Sequence, residues 1–152
     1  MITELISVGT EILLGNIVNT NSAYLSEKCA LLGLSVYYQD VVGDNEGRMR
    51  DVIRTALDRS DVVILTGGLG PTEDDITKEV AAKVLGKELV VHEASMKEIQ
   101  GYFHNNPRAM HSGNEKQAMF PADAIVLPNP NGTAPGAIMG DGAGRYIIVL
   151  PG

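Results

Sequence analysis

Three glycines and three carboxylates crowd one short segment: Gly67, Gly68 and Gly70 are followed by Glu73, Asp74 and Asp75. They close the apolar run from Asp61 through Val62-Val63-Ile64-Leu65-Thr66 and open an amphipathic stretch that begins near Thr77. Glycine lets a ligand meet the main chain without a Cβ in the way. The first turn of the following helix leaves N–H groups unpaired, which favours an anion. Acidic side chains beside an anion-seeking backbone conflict unless a divalent cation joins them, as when Mg²⁺ is held by carboxylates together with substrate phosphates.

A simpler alternative is a tight strand-to-helix connection, with Thr72 or Asp74 as N-cap and the acids placed against the helix dipole. A cap needs only one such residue, which leaves the other glycines and acids without a task. A P-loop is excluded because no Gly-Lys-Ser/Thr follows, and Gly-Gly-Leu-Gly lacks the G-x-G-x-x-G spacing of a dinucleotide fingerprint.

The elements that must position this loop follow from hydrophobic periodicity. Leu5-Ile6-Ser7-Val8 reads as a first strand ending at Gly9, and Thr20 or Asn21 caps a helix with Leu25, Cys29 and Leu32 on one face before Gly33 stops it. Ser35 to Val42 reads as a second strand. Asp44 or Asn45 then begins a helix with Met49, Val52, Ile53, Ala56 and Leu57 inward. Val62 to Leu65 is a strand buried on both faces, and Val80, Ala81, Val84 and Leu85 mark a helix ending at Gly86. Repeated βα units predict an α/β fold, a mostly parallel sheet with helices on both faces and right-handed crossovers.

Beyond residue 87 the pattern changes. Glu88 to His92 reads as a short edge strand, Ala94 to Phe103 as a helix, and Asn114 to Met119 as a shorter helix stopped by Pro121. Ala124 to Leu127 reads as a sheet strand, and Ala137 to Met139 with Tyr146 to Leu150 as a hairpin around Gly140 to Gly144.

Open α/β sheets bind ligands beyond the carboxyl ends of their strands. That rule gathers Thr10 and Glu11, Asp44, the loop from Thr66 to Asp75, the segment from Pro128 to Gly136, and Pro151-Gly152 on one rim. A cation is the simplest way to hold Glu11, Asp44 and Asp75 together, because clustered carboxylates otherwise raise one another's pKa. The three histidines, His92, His104 and His111, have no paired ligand spacing on one helix face and are assigned to solvent or local hydrogen bonds.

Composition narrows the function classes. The chain of 152 residues fits one domain able to bury a core without staples. Its formal charge of −7, with twelve scattered basic residues, argues against a broad nucleic-acid surface. A small anionic ligand remains compatible, since a glycine-lined nest neutralises it locally. Cys29 is the only cysteine, so no disulfide framework exists, and a reduced, cytoplasmic setting is expected. No basic leader and no membrane-length apolar run predict neither secretion nor insertion.

Several motifs together carry a family resemblance: Gly9-Thr10-Glu11-Ile12-Leu13-Leu14-Gly15, Asn19-Thr20-Asn21, Val42-Gly43-Asp44-Asn45, Thr66 through Asp75, Asn114-Glu115-Lys116-Gln117-Ala118, Leu127-Pro128-Asn129-Pro130 with Gly132-Thr133-Ala134-Pro135-Gly136, and Leu150-Pro151-Gly152. Over its whole length the chain resembles the N-terminal domain of the competence/damage-inducible CinA proteins. That resemblance implies the molybdopterin-binding fold of MogA and MoaB proteins, a three-layer α/β/α sandwich usually seen in oligomers. It implies a metal-dependent pyrophosphatase acting on ADP-ribose-like nucleotides, commonly fused to a C-terminal nicotinamide-nucleotide amidase domain. The family motif at Leu150-Pro151-Gly152 normally runs on, so residues 1–152 are expected to be one domain truncated at its C-terminal end.

Combined with the acid-and-glycine loop, this gives a concrete expectation. The backbone around Gly67, Gly68 and Gly70 holds a diphosphate, and Mg²⁺, Co²⁺ or Mn²⁺ sits on Asp44, Asp75 and Asp74. Glu11 serves as base or outer partner, Thr10 and Thr133 donate hydroxyl hydrogen bonds, and Lys78 or Lys116 adds positive charge. Thr66, Asn129, Gly132, Pro151 and Gly152 complete the ligand-binding rim. Molybdopterin adenylyltransferases share the Gly-Gly-x-Gly turn and a following Asp-x-Thr, here Asp75-Ile76-Thr77. A pterin- or nucleotide-binding or regulatory module without turnover is therefore the competing expectation.

Overall fold

A computed structural model describes residues 1–104, 110 and 112–152; His111 lies outside them. Among the described residues the elements follow in the order β1 (Ile2–Val8), α1 (Thr10–Leu13), α2 (Thr20–Leu31), β2 (Ser35–Val42), α3 (Glu46–Arg59), β3 (Val62–Thr66), α4 (Thr77–Val84), β4 (Val90–Val91), α5 (Glu93–Tyr102), α6 (Ser112–Lys116), β5 (Met119–Phe120), β6 (Ile125–Leu127), β7 (Gly136–Gly140) and β8 (Tyr146–Leu150).

The main sheet runs β2-β1-β3-β8-β7-β6. The pairs β1·β2, β1·β3 and β3·β8 are parallel, while β7 is antiparallel to both β8 and β6. The central strands alternate between two apolar layers, as a strand covered on both faces must. Ile6, Val8, Val63, Leu65, Ile147 and Val149 pack with Met49, Ile53, Val80 and Ala81 of α3 and α4. Leu5, Val62 and Ile64 pack on the opposite face with Cys29 of α2. The result is the three-layer α/β sandwich with a mostly parallel sheet.

Local chemistry sets the element ends. The Asn45 side chain accepts from the N–H of Arg48 and caps α3. Asn19, rather than Thr20 or Asn21, caps α2 by accepting from Ser22, and its amide also donates to Ser7 Oγ at 2.8 Å. Leu32 does not share the inward face of Cys29. The helix ends at Leu31 and Gly33 turns the chain at φ 73, which leaves Leu32 at 77% exposure.

Two further expectations are corrected. Residues 88–92 contribute only Val90–Val91, which pair with Met119–Phe120 in a separate two-stranded sheet. The helix expected over 114–119 ends at Lys116, because Met119 and Phe120 are drawn into that pairing. His92 caps α5 through Nδ1, the local hydrogen bond expected of it.

The end of the sheet away from the loops carries an ion pair of a buried carboxylate with a half-buried guanidinium. Glu4, with no exposed surface, takes two hydrogen bonds from Arg59 at 2.9 and 2.7 Å and one from Ser60 Oγ at 3.2 Å. Burial pulls the Glu4 carboxyl upward, but the Arg59 hydrogen bonds, with help from Asp40 and Ser60, hold it below its ordinary value. Burial and the neighbouring Glu4 raise Asp40.

Candidate active site

The registers put the ends of β1, β2, β3, β6 and β8 on one rim: Val8 stands opposite Val42, Ser7 opposite Thr66, Thr66 opposite Leu150, and Leu127 opposite the start of β7 at Gly136. Beyond that rim lies a cavity of about 770 Å³, within the range of small-molecule sites.

Its lining unites most of the sequence candidates. Glu11, Asp44, Thr66, Gly67, Gly68, Gly70, Asp74, Asp75, Asn129, Gly132, Thr133, Pro151 and Gly152 all contribute. Asp44 and Asp75 reach it from loops on either side of β1. Asp44 Oδ2 accepts from both the N–H and Oγ1 of Thr10, at 3.1 and 3.0 Å. Asp75 Oδ2 accepts from the N–H and Oγ1 of Thr72, at 3.0 and 2.6 Å. Each carboxylate is therefore oriented by a threonine, and among the described residues no hydrogen bond engages the other oxygen of either. Thr10 acts through Asp44 and is not itself in the lining.

The expected gathering of Glu11, Asp44 and Asp75 into a chelating set is corrected. Among the described residues no three His, Cys, Asp or Glu side chains stand close enough to hold a metal among themselves. The Glu11 carboxylate instead folds over Gly9, where an added Cβ would lie 2.5 Å from Oε1.

The backbone of the loop is built for close approach. Gly67 has φ 95, and a Cβ there would lie 2.3 Å from the carbonyl of Val8. Its own N–H donates to Leu150 and is unavailable to a ligand. The N–H of Thr77, the first of α4, is likewise taken by Gly68, and neither Thr72 nor Asp74 caps the helix. Open amides lie earlier: among the described residues the N–H groups of Gly68, Leu69 and Gly70 have no hydrogen-bond partner, and all three residues line the cavity. Successive unpaired amides in a turn make an anion-binding concavity.

The two candidate lysines do not line the cavity. Lys78 is 4% exposed, donates to the carbonyls of Lys116 and Gln117 at 2.7 and 3.2 Å, and lies 4.2 Å from the centre of the Phe120 ring. Burial pushes its ammonium down to about 8, with the charge of Lys116 adding to the effect and Glu79 opposing it. Lys116 donates to the carbonyls of Thr72 and Asp75. Lys116 thus holds the loop from outside, and Lys78 holds the end of α6 that carries Lys116.

Gln117 is the functional candidate that sequence reasoning passed over. It is buried, lines the cavity and donates to the carbonyl of Leu69 at 3.4 Å, while receiving Asn114 Nδ2 at 3.2 Å. The signal lay in the Asn114 to Ala118 motif, where only the lysine had been given a role.

The sequence pattern described as "Probable molybdopterin binding domain" matches residues 4–152. The chain belongs to that family. It is 53% identical over 152 residues to a protein of Alkaliphilus oremlandii described as competence-damage inducible, covering 100% of this chain and 37% of the relative. A Clostridium novyi protein of the same description is 55% identical, with 100% and 36% covered. The chain thus spans little more than a third of the curated relatives it matches. The solved structure of CinA from Thermoplasma acidophilum, whose function is unknown, superposes with TM-score 0.91 at 36% identity, covering 99% of this chain and 88% of that one. MoaB from Thermus thermophilus superposes with TM-score 0.64 at 18% identity, covering 99% and 80%, and supports the fold alone. Among the described residues no helix is long and apolar enough to cross a membrane.

Proposed function

We propose that this molybdopterin-binding-family domain is a metal-dependent nucleotide pyrophosphatase that takes ADP-ribose-like diphosphates in the cavity beyond the sheet. The observation that carries the reading is the meeting of three unpaired amides, at Gly68, Leu69 and Gly70, with two threonine-oriented aspartates in one cavity. Neither half makes chemical sense alone: an anion is repelled by Asp44 and Asp75, and a cation is repelled by the amides. A diphosphate with a divalent cation satisfies both.

The donor set fits such a cation. Asp44 and Asp75 each have one oxygen without a described partner and Asp74 lines the same cavity, but no three described carboxylates are close enough to hold a metal by themselves, so phosphate oxygens and water would supply the rest of the shell that Mg²⁺, Co²⁺ or Mn²⁺ takes. When bound, the ion would supply positive charge at the phosphates and a more acidic water. The residues of the chain do the rest. Amides of Gly68 to Gly70 fix the diphosphate, Thr10 and Thr72 hold the aspartates, and Glu11 accepts the proton of the attacking water. The new P–O bond to water forms as the anhydride P–O bond breaks, giving AMP and ribose 5-phosphate from ADP-ribose. In the full-length protein an amidase domain would follow, and a homo-oligomer is the expected assembly.

Incubation of the purified chain with ADP-ribose and each cation tests this: AMP should form only when a cation is present. The second reading, a pterin- or nucleotide-binding module without turnover, is favoured by the absence of a ready-made metal set among the described residues. No AMP from folded protein, together with a pterin retained through purification, would establish it.

A further inference from the structure

A second cavity, of about 390 Å³, adjoins the first. The two share Asn129, Asn131, Gly132 and Thr133 as a common wall. That wall is braced from within: Asn129 Nδ2 donates to the carbonyl of Ala134 at 3.0 Å, and Asn129 Oδ1 accepts from the N–H of Asn131 at 3.0 Å. The far side is α5, which presents Glu98, Ile99 and Tyr102.

The chemistry of this second space differs from that of the first. Among the described residues its lining holds no Lys, Arg or His, and the charge they bring is the carboxylate of Glu98, which disfavours a phosphate there. It offers an aromatic ring on Tyr102, apolar contact at Pro130, and an acceptor on Glu98, over a floor in which Ile99 and Pro135 are buried. A flat ring system stacks on an aromatic side chain, and its edge N–H groups pair with a carboxylate. Tyr102 is 71% exposed, so its ring is open to such a partner.

We propose that the second cavity receives the planar nitrogen heterocycle of the ligand whose phosphates enter the first, with Tyr102 stacking on the ring and Glu98 accepting from its edge. This rests on the phosphate reading of the larger cavity for the way the ligand is joined across the wall. It assigns specificity to α5 and to the loop from Asn129 to Thr133. A purine and a pterin share the required chemistry.

Two-dimensional amide NMR of the ¹⁵N-labelled chain separates the cavities. Adenosine and neopterin are titrated separately as phosphate-free probes, and inorganic pyrophosphate with Mg²⁺ as a ring-free one. One heterocycle should move the amides of Glu98, Ile99, Tyr102, Asn131 and Gly132, and whichever does so names the source. Tyr102→Ala should weaken that heterocycle at least about fivefold, while pyrophosphate still moves Gly68 and Gly70. If neither heterocycle moves α5, or if the variant binds as tightly as the parent, the proposal is overturned. Pyrophosphate that leaves Gly68 and Gly70 unmoved would sink the phosphate reading alone, since the heterocycle probes carry no phosphate.

Discussion

Lys116 donates to the main-chain carbonyl of Asp75, so α6 holds the acidic end of the glycine-rich loop although the two residues are far apart in the chain. The same ammonium reaches the carbonyl of Thr72, and Thr72 in turn orients the Asp75 carboxylate. A clamp on the backbone thereby sets the aim of a side chain. Replacing the amine with an isosteric apolar chain, Lys116→Met, should lower unfolding stability by about 1–3 kcal/mol and weaken ADP-ribose binding. Urea titration and calorimetry check both, and unchanged values would show the clamp to be incidental.

Lys78 makes the next link, from α4 to the end of α6. Its ordinary value of 10.5 falls to about 8 on burial. Between those values the unfolded chain carries a proton that the folded chain has released, so unfolding takes one up and stability rises with pH across that window. The burial cost of the charged ammonium is fully present below about pH 8. Lys78→Met should remove this rise, seen as a flatter dependence of the urea midpoint on pH than the parent shows between about pH 8 and about pH 10. Parallel curves would contradict the assignment.

Gly67 and Gly113 are required by space. A Cβ on Gly67 would stand 2.3 Å from the Val8 carbonyl, and one on Gly113 would stand 1.9 Å from the Pro71 carbonyl. Gly67→Ala combines that clash with φ 95 and should cost about 1–3 kcal/mol. Gly113→Ala pushes α6 off the loop and should lower site affinity as well as the melting temperature. A variant of either kind with parental melting temperature would show that the loop relaxes freely.

The Glu4–Arg59 pair lies at the other end of the sheet and should be separable from function. Arg59→Leu leaves the buried Glu4 carboxylate with the Ser60 hydrogen bond but without its cation, at a cost of about 1–3 kcal/mol. The depressed Glu4 value means that its contribution is present above the ordinary carboxylate range and is lost as the pH falls through the folded value. Glu4→Met with Arg59→Leu should recover most of the loss. ADP-ribose affinity of the doubly substituted protein should match the parent's.

What could be read from the chain was whatever depends on near neighbours. The unbroken apolar run of Val62 to Leu65 and the inward spacing of Met49, Ile53, Ala56 and Leu57 are local patterns, and each stands buried as expected. The strand-end rule gathers Asp44, Gly68 and Asp75 on one rim, and all three line the cavity there. The burial of Lys78 could not be read because it is decided at long range. The carbonyls that receive Lys78 lie 38 and 39 residues away, and no spacing within α4 announces them. Leu32 differs for the opposite reason: the periodicity runs one residue past the helix end at Leu31, just before the turn at Gly33. The pairing of Met119–Phe120 with Val90–Val91 was hidden because two-residue strands carry too little alternation to read.

The central claim is that a cation shared by Asp44 and Asp75 joins the ligand's diphosphate to this cavity. Asn in place of either aspartate keeps an oxygen for Thr10 or Thr72 and removes the charge, so the fold should persist. Calorimetric titration of ADP-ribose into the parent, Asp44→Asn and Asp75→Asn, each with Mg²⁺ and with chelator, measures the claim directly. The account predicts that only the parent with Mg²⁺ binds well and that either substitution weakens binding at least about tenfold, or about 1.4 kcal/mol. Equal affinity in all three proteins, or in the parent with and without Mg²⁺, would contradict it.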